Sequence, residues 1–287
     1  MPSAVLKRTY AKSKVQAWSR DLQYHISDVA KTLSEIDAES AYTEPSIVES
    51  LQDWGHGSTS QSLWIRGIYE EFYPSSTSAI AAKIVKTALD TKIPLLYFFC
   101  NIPEEDEELM DDEDDTPSKE EAAVIDFLYS LIRQAIELLP REISTKSNLT
   151  KPRFARLDGT LDTFDEALNI LADLLLLVPS TLLIVIDGIE QLDDTDVDEN
   201  ITDILKFIQD TTLRESSGSE KVVKILYTTA GPCSALDGLD DENLEVVRTN
   251  ERKALRSPGN ARKGRILLDI DFDSDDNASD DDPYEAD

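Results

Sequence analysis

The chain has 287 residues, and its 58 aspartate and glutamate residues outnumber its 28 lysine and arginine residues, which gives a formal net charge of −30 at pH 7. So strong a negative charge argues against binding of nucleic acid, whose phosphates attract cationic surfaces. Apolar residues make up 40% of the chain, which is enough to bury the core of one sizeable domain or of two small ones.

Neither a membrane span nor a secretory signal is predicted. The sequence has no apolar run of about eighteen residues, and its beginning, MPSAVLKRTYAKSK, lacks the apolar stretch and cleavage site of a signal peptide. Cys100 and Cys233 are far apart and have no metal-type spacing, which argues against a disulfide framework or a zinc site. We therefore expect an intracellular protein, cytoplasmic or nuclear, that does not bind membranes.

The first predicted element is an amphipathic helix of about 25 residues, judged from its apolar spacing. It lies in an N-terminal lead, residues 1–44. Its apolar residues recur in steps of three and four, which places them on one stripe: Val15, Trp18, Leu22, Ile26, Val29, Leu33 and Ile36. A helix that packs on its own domain explains the stripe. A coiled-coil or partner-binding helix is the alternative, because three heptads are close to the minimum for a coiled coil.

From residue 45 onward, apolar strands alternate with amphipathic helices. A short helix over SIVESLQDW precedes the strand SLWIRG, and a second helix begins near Ser76 to Ser78. The run IPLLYFFC (93–100) has the length and composition of a strand that is covered on both faces. The segment EEDEELMDDEDD (104–115) then holds ten acids and no basic residue. We predict a solvated, disordered acidic insertion over residues 103–117.

The second half of the chain continues this alternation. Ser118 and Glu121 have the spacing of a capping box that opens a helix, and Thr163 with Glu166 opens another. The segment between these helices, KSNLTKPRFARLDGT (146–160), is predicted to be a loop. Further elements follow in order: the strand TLLIVIDG (181–188), the helix NITDILKFIQD (200–210), the strand KVVKILYTT (221–229) and the strand LEVV (244–247). This pattern predicts an α/β fold with a parallel sheet.

Residues 251–287 are predicted to be a basic linker and an acidic, disordered tail. The stretch RTNERKALRSPGNARKGR (248–265) carries seven basic residues and one acid. This composition is typical of a flexible linker, of a nuclear targeting signal or of a segment that pairs with acids. The tail, residues 269–287, holds ten acids and no basic residue. Ser274 and Ser279 in the tail resemble sites of acidophilic kinases, and phosphorylation there would deepen its negative charge.

The segments LWIRG, SAIAAKIV, LLYFFC, LLIVIDGIEQL and KILYTT, in this order and spacing, resemble the NACHT-type P-loop NTPase domain of the STAND class. Fungal NACHT-like proteins and nephrocystin-3-like N-terminal nucleotide-binding domains are of this kind. The resemblance covers residues 45–250. It implies a five-stranded parallel P-loop NTPase-like sheet, flanked by helices, in the strand order 5-1-4-3-2. KILYTT would lie between LWIRG and LLIVID, with LEVV on one edge and LLYFFC on the other.

Domains of this class hold the nucleotide in a glycine-rich loop. Its backbone N–H groups cradle the phosphates, a lysine contacts the β- and γ-phosphates, and a Ser or Thr hydroxyl binds magnesium. The resemblance aligns Gly67 with the first glycine, Ser76 with the second glycine, Thr77 with the lysine and Ser78 with the hydroxyl. The loop is four residues longer than the motif. It has gained Glu70, Glu71, Phe72 and Tyr73. With two carboxylates and no lysine, these cofactor-binding positions are predicted to be degenerate and non-functional.

The resemblance also assigns the metal-binding positions. Asp187 matches the acid that organises magnesium, and Glu190 matches the next acid of the pattern. A strand-end acid that caps the following loop is an equally open interpretation of Asp187. The catalytic glutamate aligns with Gln191, whose amide cannot accept a proton from water. The arginine that senses the phosphates aligns with Ala230. We therefore predict no catalytic residue.

These losses predict a non-catalytic NACHT-like domain, a pseudo-NTPase that acts as a protein-interaction or regulatory module without a cofactor. Its partners would be proteins bound through the N-terminal helix and the acidic segments. One alternative is a weak ATP- or GTP-binding switch of the STAND class, in which Ser75 to Ser78 and Asp187 hold Mg-ATP or Mg-GTP. A second alternative is a decayed fragment of a larger STAND receptor.

Overall fold

The computed structural model of the protein describes residues 7–27, 29–36, 38, 44–70, 73–102, 117–193, 195–214, 221–239 and 244–249. The predicted acidic insertion lies outside the described residues except for Pro117. The acidic tail and all but the first two residues of the basic stretch also lie outside them.

The described residues contain seven strands. In chain order these are β1 (Arg8–Ala11), β2 (Gln61–Arg66), β3 (Leu95–Phe99), β4 (Glu142–Thr145), β5 (Thr181–Asp187), β6 (Val222–Thr229) and β7 (Leu244–Arg248). Five of them form a parallel sheet in the order β3-β5-β6-β2-β7, and β1 pairs with β4 in a separate antiparallel sheet. Numbered among themselves, the five strands read 5-1-4-3-2 from the β7 edge, which is the predicted arrangement.

Helices cover both faces of the parallel sheet. The α-helices of the described residues are α1 (Lys12–Trp18), α2 (Val29–Glu35), α3 (Pro45–His56), α4 (Ser76–Thr91), α5 (Lys119–Leu138), α6 (Lys151–Phe154), α7 (Phe164–Leu175), α8 (Asp198–Gln209) and α9 (Ser234–Asp237). Shorter 3-10 helices span Arg20–His25, Leu161–Thr163 and Ile189–Leu192, and a π-helical turn spans Asp210–Arg214. None of the helices within the described ranges combines the length and apolar character needed to cross a bilayer.

The apolar strands are explained by burial on both faces. Along β5, Leu182, Ile184 and Ile186 pack in one apolar cluster with α5, α7 and α8. Leu183 and Val185 point the other way and pack in a second cluster with α3 and α4. Because successive side chains of a strand point to opposite faces, a central parallel strand needs an unbroken apolar run rather than alternation.

The N-terminal lead is not the single long helix that the apolar stripe predicted. It consists of α1, the 3-10 helix Arg20–His25 and α2. Val15 and Leu22 are buried in the cluster beside α5, whereas Leu33 and Ile36 are buried in the cluster on the other face of the sheet. One straight helix cannot contribute to both faces, so the prediction of one helix was wrong. The buried stripe residues pack on the chain's own domain, as the first interpretation of the stripe expected.

A hydrogen-bonded junction with α5 fixes the first bend of the lead. The side chain of Ser19 donates to the backbone oxygen of Val15 (3.0 Å), which ends α1. Arg133 of α5 then donates from Nη1 to Ser19 Oγ (2.6 Å) and to the backbone oxygen of Gln16 (3.2 Å). Polar contacts of this kind leave no trace in the apolar periodicity, which is why the stripe did not reveal the bend.

The segment predicted to be a loop, residues 146–160, contains α6, and it follows a strand that was not predicted. β4 pairs with β1 from Arg8 to Ala11. Arg153 of α6 donates from Nε to Glu166 Oε1 (2.6 Å) and also forms an ion pair with Asp173, both on α7. The side chain of Arg153 is only 12% exposed, so this cluster holds the segment on the domain. The loop prediction was therefore wrong over the helical turn.

The two predicted capping boxes have different outcomes. Ser118 accepts from the backbone N–H of Glu121 (3.1 Å), and Glu121 accepts from the backbone N–H of Ser118 (2.9 Å), which confirms the first box. The helix α7 begins directly after Thr163, as predicted, but Thr163 makes no side-chain cap. Its hydroxyl donates instead to Asp158 Oδ1 (3.1 Å). The second helix start was correct and its capping box was wrong.

The outer edge of the sheet at β3 is closed by a side chain. The backbone N–H of Tyr97 donates to Gln134 Oε1 (2.8 Å), and Gln134 Nε2 donates to the backbone oxygen of Tyr97 (2.8 Å). The amide of Gln134, on α5, thus takes the place of a neighbouring strand's peptide group.

One lysine is buried near the edge of the sheet where β2 and β5 begin, opposite the edge where these strands end. Lys224 of β6 is 1% exposed, and its Nζ has no hydrogen-bond partner among the described residues. Nζ lies close to the end of α3, since a Cβ placed on Gly57 would be 2.8 Å from it. Burial lowers the pKa of Lys224 to about 8.

Candidate functional site

The carboxyl ends of β2, β5 and β6 bring the predicted site residues to one edge of the sheet. The loop after β2 begins at Gly67, whose backbone N–H donates to the backbone oxygen of Thr229 (2.7 Å) at the end of β6. A Cβ at Gly67 would lie 2.8 Å from that oxygen. The close approach to β6 therefore requires a glycine where the loop leaves the strand.

The first turn of α4 is capped by its own residues. Ser75 Oγ accepts from the backbone N–H of Ser78 (3.1 Å), and Ser78 Oγ accepts from the backbone N–H of Ser75 (3.2 Å). Thr77, which the resemblance aligned with the lysine, is 1% exposed, and its hydroxyl donates to the backbone oxygen of Thr229 (3.2 Å). Ser78 is fully buried. The hydroxyls of Ser75, Thr77 and Ser78 thus point into the protein.

Glu70 lies at the N-terminus of α4. Its Oε1 accepts from the backbone N–H of Ser76 (2.9 Å) and from the hydroxyl of the same residue. The N-terminus of a helix attracts anions, because its first N–H groups have no partner within the helix and its dipole is positive there. A carboxylate supplied by the loop itself therefore occupies the anion-binding position. Of the other residues gained by the loop, Glu71 and Phe72 lie outside the described residues.

Asp187, at the end of β5, is fully buried, and the hydroxyls of Thr228, Tyr73 and Ser78 lie around its carboxylate. Thr228 Oγ1 donates to Asp187 Oδ1 (2.6 Å), and the hydroxyl of Tyr73 donates to Asp187 Oδ2 (3.3 Å). Burial raises the pKa of Asp187 to about 7. Burial also raises the pKa of Tyr73, and the nearby negative charge of Asp187 adds to the effect. The structure thus places Asp187 beneath a tyrosine that the lengthened loop contributes.

Glu190 bonds to the end of β6. Its Oε1 accepts from the backbone N–H of Ala230 (2.7 Å), while Oε2 is buried without a hydrogen-bond partner. Burial raises the pKa of Glu190. No group of three or more His, Cys, Asp or Glu side chains arranged to hold a metal ion is found in the described part of the chain. Asp187 and Glu190 are neighbours in the site, and their role as metal ligands stays a prediction.

Gln191, which follows β5, bonds through its side chain to the backbone that follows β3. Its Nε2 donates to the backbone oxygen of Cys100 (2.7 Å), and its Oε1 accepts from the backbone N–H of Ile102 (3.2 Å). Gly188 has a φ of 78°, and a Cβ there would lie 2.8 Å from the same Cys100 oxygen. The position aligned with the catalytic glutamate is therefore filled by an amide that needs both its donor and its acceptor.

Replacing Gln191 by glutamate is expected to destabilise the protein by about 1 to 3 kcal/mol, because the carbonyl of Cys100 loses its donor and a carboxylate takes the donor's place. We also predict that the variant does not hydrolyse ATP. Urea denaturation and phosphate-release assays measure the two effects. Gln52→Glu, on an exposed position of α3, is the matched control and should unfold like the wild type. Equal stability of Gln191→Glu and Gln52→Glu would contradict the structural role of the amide.

Sequence reasoning found the positions of this site but missed two of its contacts. The sequence analysis treated Glu70 and Tyr73 only as charge and bulk added to the loop. In the structure Glu70 bonds to the N-terminus of α4, and Tyr73 bonds to Asp187. The serine run before α4 was the available signal. The serine cap satisfies the backbone N–H of Ser78 and leaves that of Ser76 open to an outside acceptor.

Comparison with known proteins identifies the family of the chain. No curated protein matches the chain. The family model of the nephrocystin 3 N-terminal region matches residues 47–229. These residues run from the first turn of α3 to the last residue of β6, so the match includes the loop, Asp187 and Gln191. Because the match extends over more than half of the sequence, the chain belongs to the nephrocystin 3 N-terminal family.

Proposed function

We propose that the chain is a NACHT-like P-loop NTPase domain without catalytic activity, a pseudo-NTPase that acts as a protein-interaction or regulatory module. Family membership and the strand order of the sheet support the P-loop origin. The loss of activity rests on the chemistry of the loop between β2 and α4.

The observation that carries the proposal is the contact between Glu70 and the backbone N–H of Ser76. A phosphate bound at this helix end would have to displace the carboxylate of Glu70. The displaced carboxylate, still on the same loop, would then repel the phosphate. Nucleotide-binding loops offset phosphate charge with a lysine, but the aligned residue, Thr77, is bonded to β6. The loop is thus complementary to its own carboxylate and not to a triphosphate.

The site below the loop supports the same proposal. A magnesium ion requires ionised, accessible carboxylate oxygens. Asp187 is fully buried, and both its oxygens already accept from hydroxyls of the protein. A pseudo-NTPase needs this acid only to join the loop to the sheet. The fold then serves as a scaffold, and the partner contacts lie on other surfaces.

Thermal unfolding with Mg-ATP, Mg-ADP or Mg-GTP tests the proposal. We expect no change in Tm at millimolar nucleotide. A nucleotide present at one hundred times its Kd would stabilise the folded state by about 2.7 kcal/mol, which is a shift of several degrees for a domain of this size. Such a shift in the wild-type protein would overturn the proposal.

The variant Glu70→Ala distinguishes a nucleotide site that has been lost from one that the carboxylate of Glu70 blocks. It removes the carboxylate from the N-terminus of α4 and leaves Thr77 and Asp187 in place. If the site is lost, the variant also shows no nucleotide-dependent shift. A shift in Glu70→Ala alone would instead favour a weak ATP- or GTP-binding switch that Glu70 holds closed. Glu49→Ala, outside the loop on α3, controls for the change in net charge.

A further inference from the structure

The two edges of the parallel sheet differ in how they end. At the β3 edge, the side chain of Gln134 bonds to both backbone groups of Tyr97. At the other edge, β7 pairs with β2 on its inner side, and no described strand pairs with its outer side. The unpaired N–H and C=O groups of an edge strand are a template for a further strand. The outer side of β7 is therefore the open edge of the sheet.

The hydrogen bonds to β2 show which backbone groups of β7 face outward. The N–H of Thr249, directly after β7, donates to the backbone oxygen of Arg66 on β2 (3.0 Å). Backbone groups of successive residues in a strand point to alternate sides, so those of Val247 also face β2. Those of Val246 and Arg248 consequently face outward, and they have no hydrogen-bond partner among the described residues. The N–H and C=O groups of both residues are thus available to a further strand.

An apolar side chain is exposed at this open edge. Val246 is 43% exposed. It lies on the same face of the sheet as Leu244, two positions earlier in the strand, which packs against the apolar cluster beside α5. Val247 points to the other face and packs against the cluster that includes residues of α3 and α4. A further strand would cover Val246 if it placed apolar side chains on the face of Leu244.

The chain contains a strand pattern after β7 that suits this position. In the run ILLDIDF (266–272), apolar residues recur at every second position: Ile266, Leu268, Ile270 and Phe272. A spacing of two is typical of a strand with one covered face, and isoleucine and phenylalanine are enriched in strands. Two of the three residues between them are aspartates, which suit a solvated face. The run lies outside the described residues, and its sequence alone predicts a strand with one apolar face.

The connection between β7 and this run is long enough for the two to pair. Residues 249–265 form the connection. A chain can extend by about 3.3 Å per residue, so the connection can span about three times the length of β7. Its middle holds the turn sequence SPGN (257–260). A turn there returns the chain beside β7 in the antiparallel direction, and an antiparallel edge strand on a parallel sheet is common.

A segment of the same chain is favoured over a second copy of the protein. A flexible tether gives an effective concentration of about a millimolar, which is roughly a thousandfold above that of a second copy present at about a micromolar. A second copy would also bring a net charge of −30 to a chain with the same net charge, and this repulsion opposes association.

We propose that residues 266–272 bind to the outer side of β7 as a sixth, antiparallel strand of the sheet. The backbone groups of Val246 and Arg248 pair with those of the run, and its apolar face covers Val246. The solvated acidic tail then begins after Phe272. This inference goes beyond the proposed function, because it does not depend on whether the loop between β2 and α4 binds a nucleotide.

Amide hydrogen exchange of the full-length protein, followed residue by residue by NMR, tests the inference. The N–H groups of Val246 and Arg248 report on the outer side of β7. The N–H of Val247 faces β2 and is the internal control for the fold of the sheet. Leu268→Asp places a charge on the apolar face of the run. Ala278→Asp adds the same charge later in the sequence and is the matched control.

We expect slow exchange at Val246 and Arg248 in the wild type and in Ala278→Asp. In Leu268→Asp both N–H groups should exchange at least about tenfold faster, while Val247 stays protected. Fast exchange at Val246 and Arg248 in the wild type would overturn the inference, and so would equal protection in Leu268→Asp. Protection that disappears on dilution would also overturn it, because it would identify a second copy of the protein as the occupant.

Discussion

Replacing Asp187 by asparagine is expected to stabilise the folded protein by about 2 to 4 kcal/mol at pH 8. The buried carboxyl has a pKa of about 7 in the folded state, against about 3.9 in an unfolded chain. At pH 8 the wild type must therefore keep a charge in a fully buried position. Asparagine is neutral, can accept from Thr228 as the carboxylate does, and has an amide group that can face Tyr73.

The pH dependence of this effect has a definite sign. Because the folded-state pKa is raised, the folded wild type holds more protons than the unfolded chain between about pH 4 and pH 7. The wild type therefore loses stability as the pH rises through this window, and the full loss is present above it. The variant lacks this titration. Its advantage over the wild type should be small at about pH 4 and largest above pH 7.

Chemical denaturation of both proteins from acidic to mildly alkaline pH measures this difference directly. Asp90→Asn, an exposed carboxylate in α4, serves as the control and should show no such trend. A variant that is less stable than the wild type at pH 8 would contradict the expectation, and so would a stability difference that does not change with pH. The first result would mean that the folded protein stabilises the ionised carboxylate, and the second would mean that folding does not raise the pKa of Asp187.

Replacing Lys224 by methionine is expected to stabilise the protein by about 1 to 3 kcal/mol at neutral pH. Lys224 Nζ is buried without a hydrogen-bond partner among the described residues, and its pKa is lowered to about 8. Methionine has a similar length, fills the same space and carries no charge. The burial that penalises the ammonium group should therefore favour the uncharged thioether.

The sign of this pH effect is opposite to that of Asp187. A lysine whose pKa is lowered on folding holds fewer protons in the folded state than in the unfolded chain between about pH 8 and pH 10.5. The wild type consequently regains stability as the pH rises through that window. The advantage of Lys224→Met should be full below about pH 8 and should decline above it.

Urea denaturation at neutral and at alkaline pH measures the advantage of Lys224→Met. Lys92→Met, at an exposed position after α4, is the control for the loss of one positive charge. If Lys224→Met destabilises the protein at neutral pH, the ammonium group has a partner that compensates its burial. Asp187 and Lys224 lie at opposite ends of the same sheet, and the two predictions state that their titrations change the stability of the protein in opposite directions as the pH rises.

The parallel sheet could be predicted from the sequence because its strands are buried on both faces and leave continuous apolar runs. Each strand of the sheet was found at or within two residues of its predicted position. The lead could not be predicted in the same way. Its stripe of apolar residues is consistent with one helix or with several, and the choice depends on the contact between Ser19 and Arg133, which are far apart in the sequence.

The sequence predicts the features of the site that depend on residue type. It does not predict the features that depend on which side chains bond to each other. Thr77 and Gln191 differ from the residues that phosphate binding and hydrolysis require, and this difference is visible in the sequence. The partner of Tyr73 is not visible, because the bond to Asp187 joins residues that are separated by 114 positions. The bond between Glu70 and Ser76 spans only six positions, but it depends on a loop conformation for which no local pattern exists.

The amide of Gln134 also occupies backbone groups of the edge strand that a second copy of the protein could otherwise bind. An exposed edge strand offers unpaired peptide groups to any passing chain and is a common starting point for aggregation. At Tyr97 both peptide groups are already bonded to Gln134, so an incoming strand would gain no hydrogen bond there and would leave its own groups unpaired. The protein thus resists edge-to-edge aggregation at β3 through a neutral side chain, and this protection would persist at salt concentrations that screen its charge.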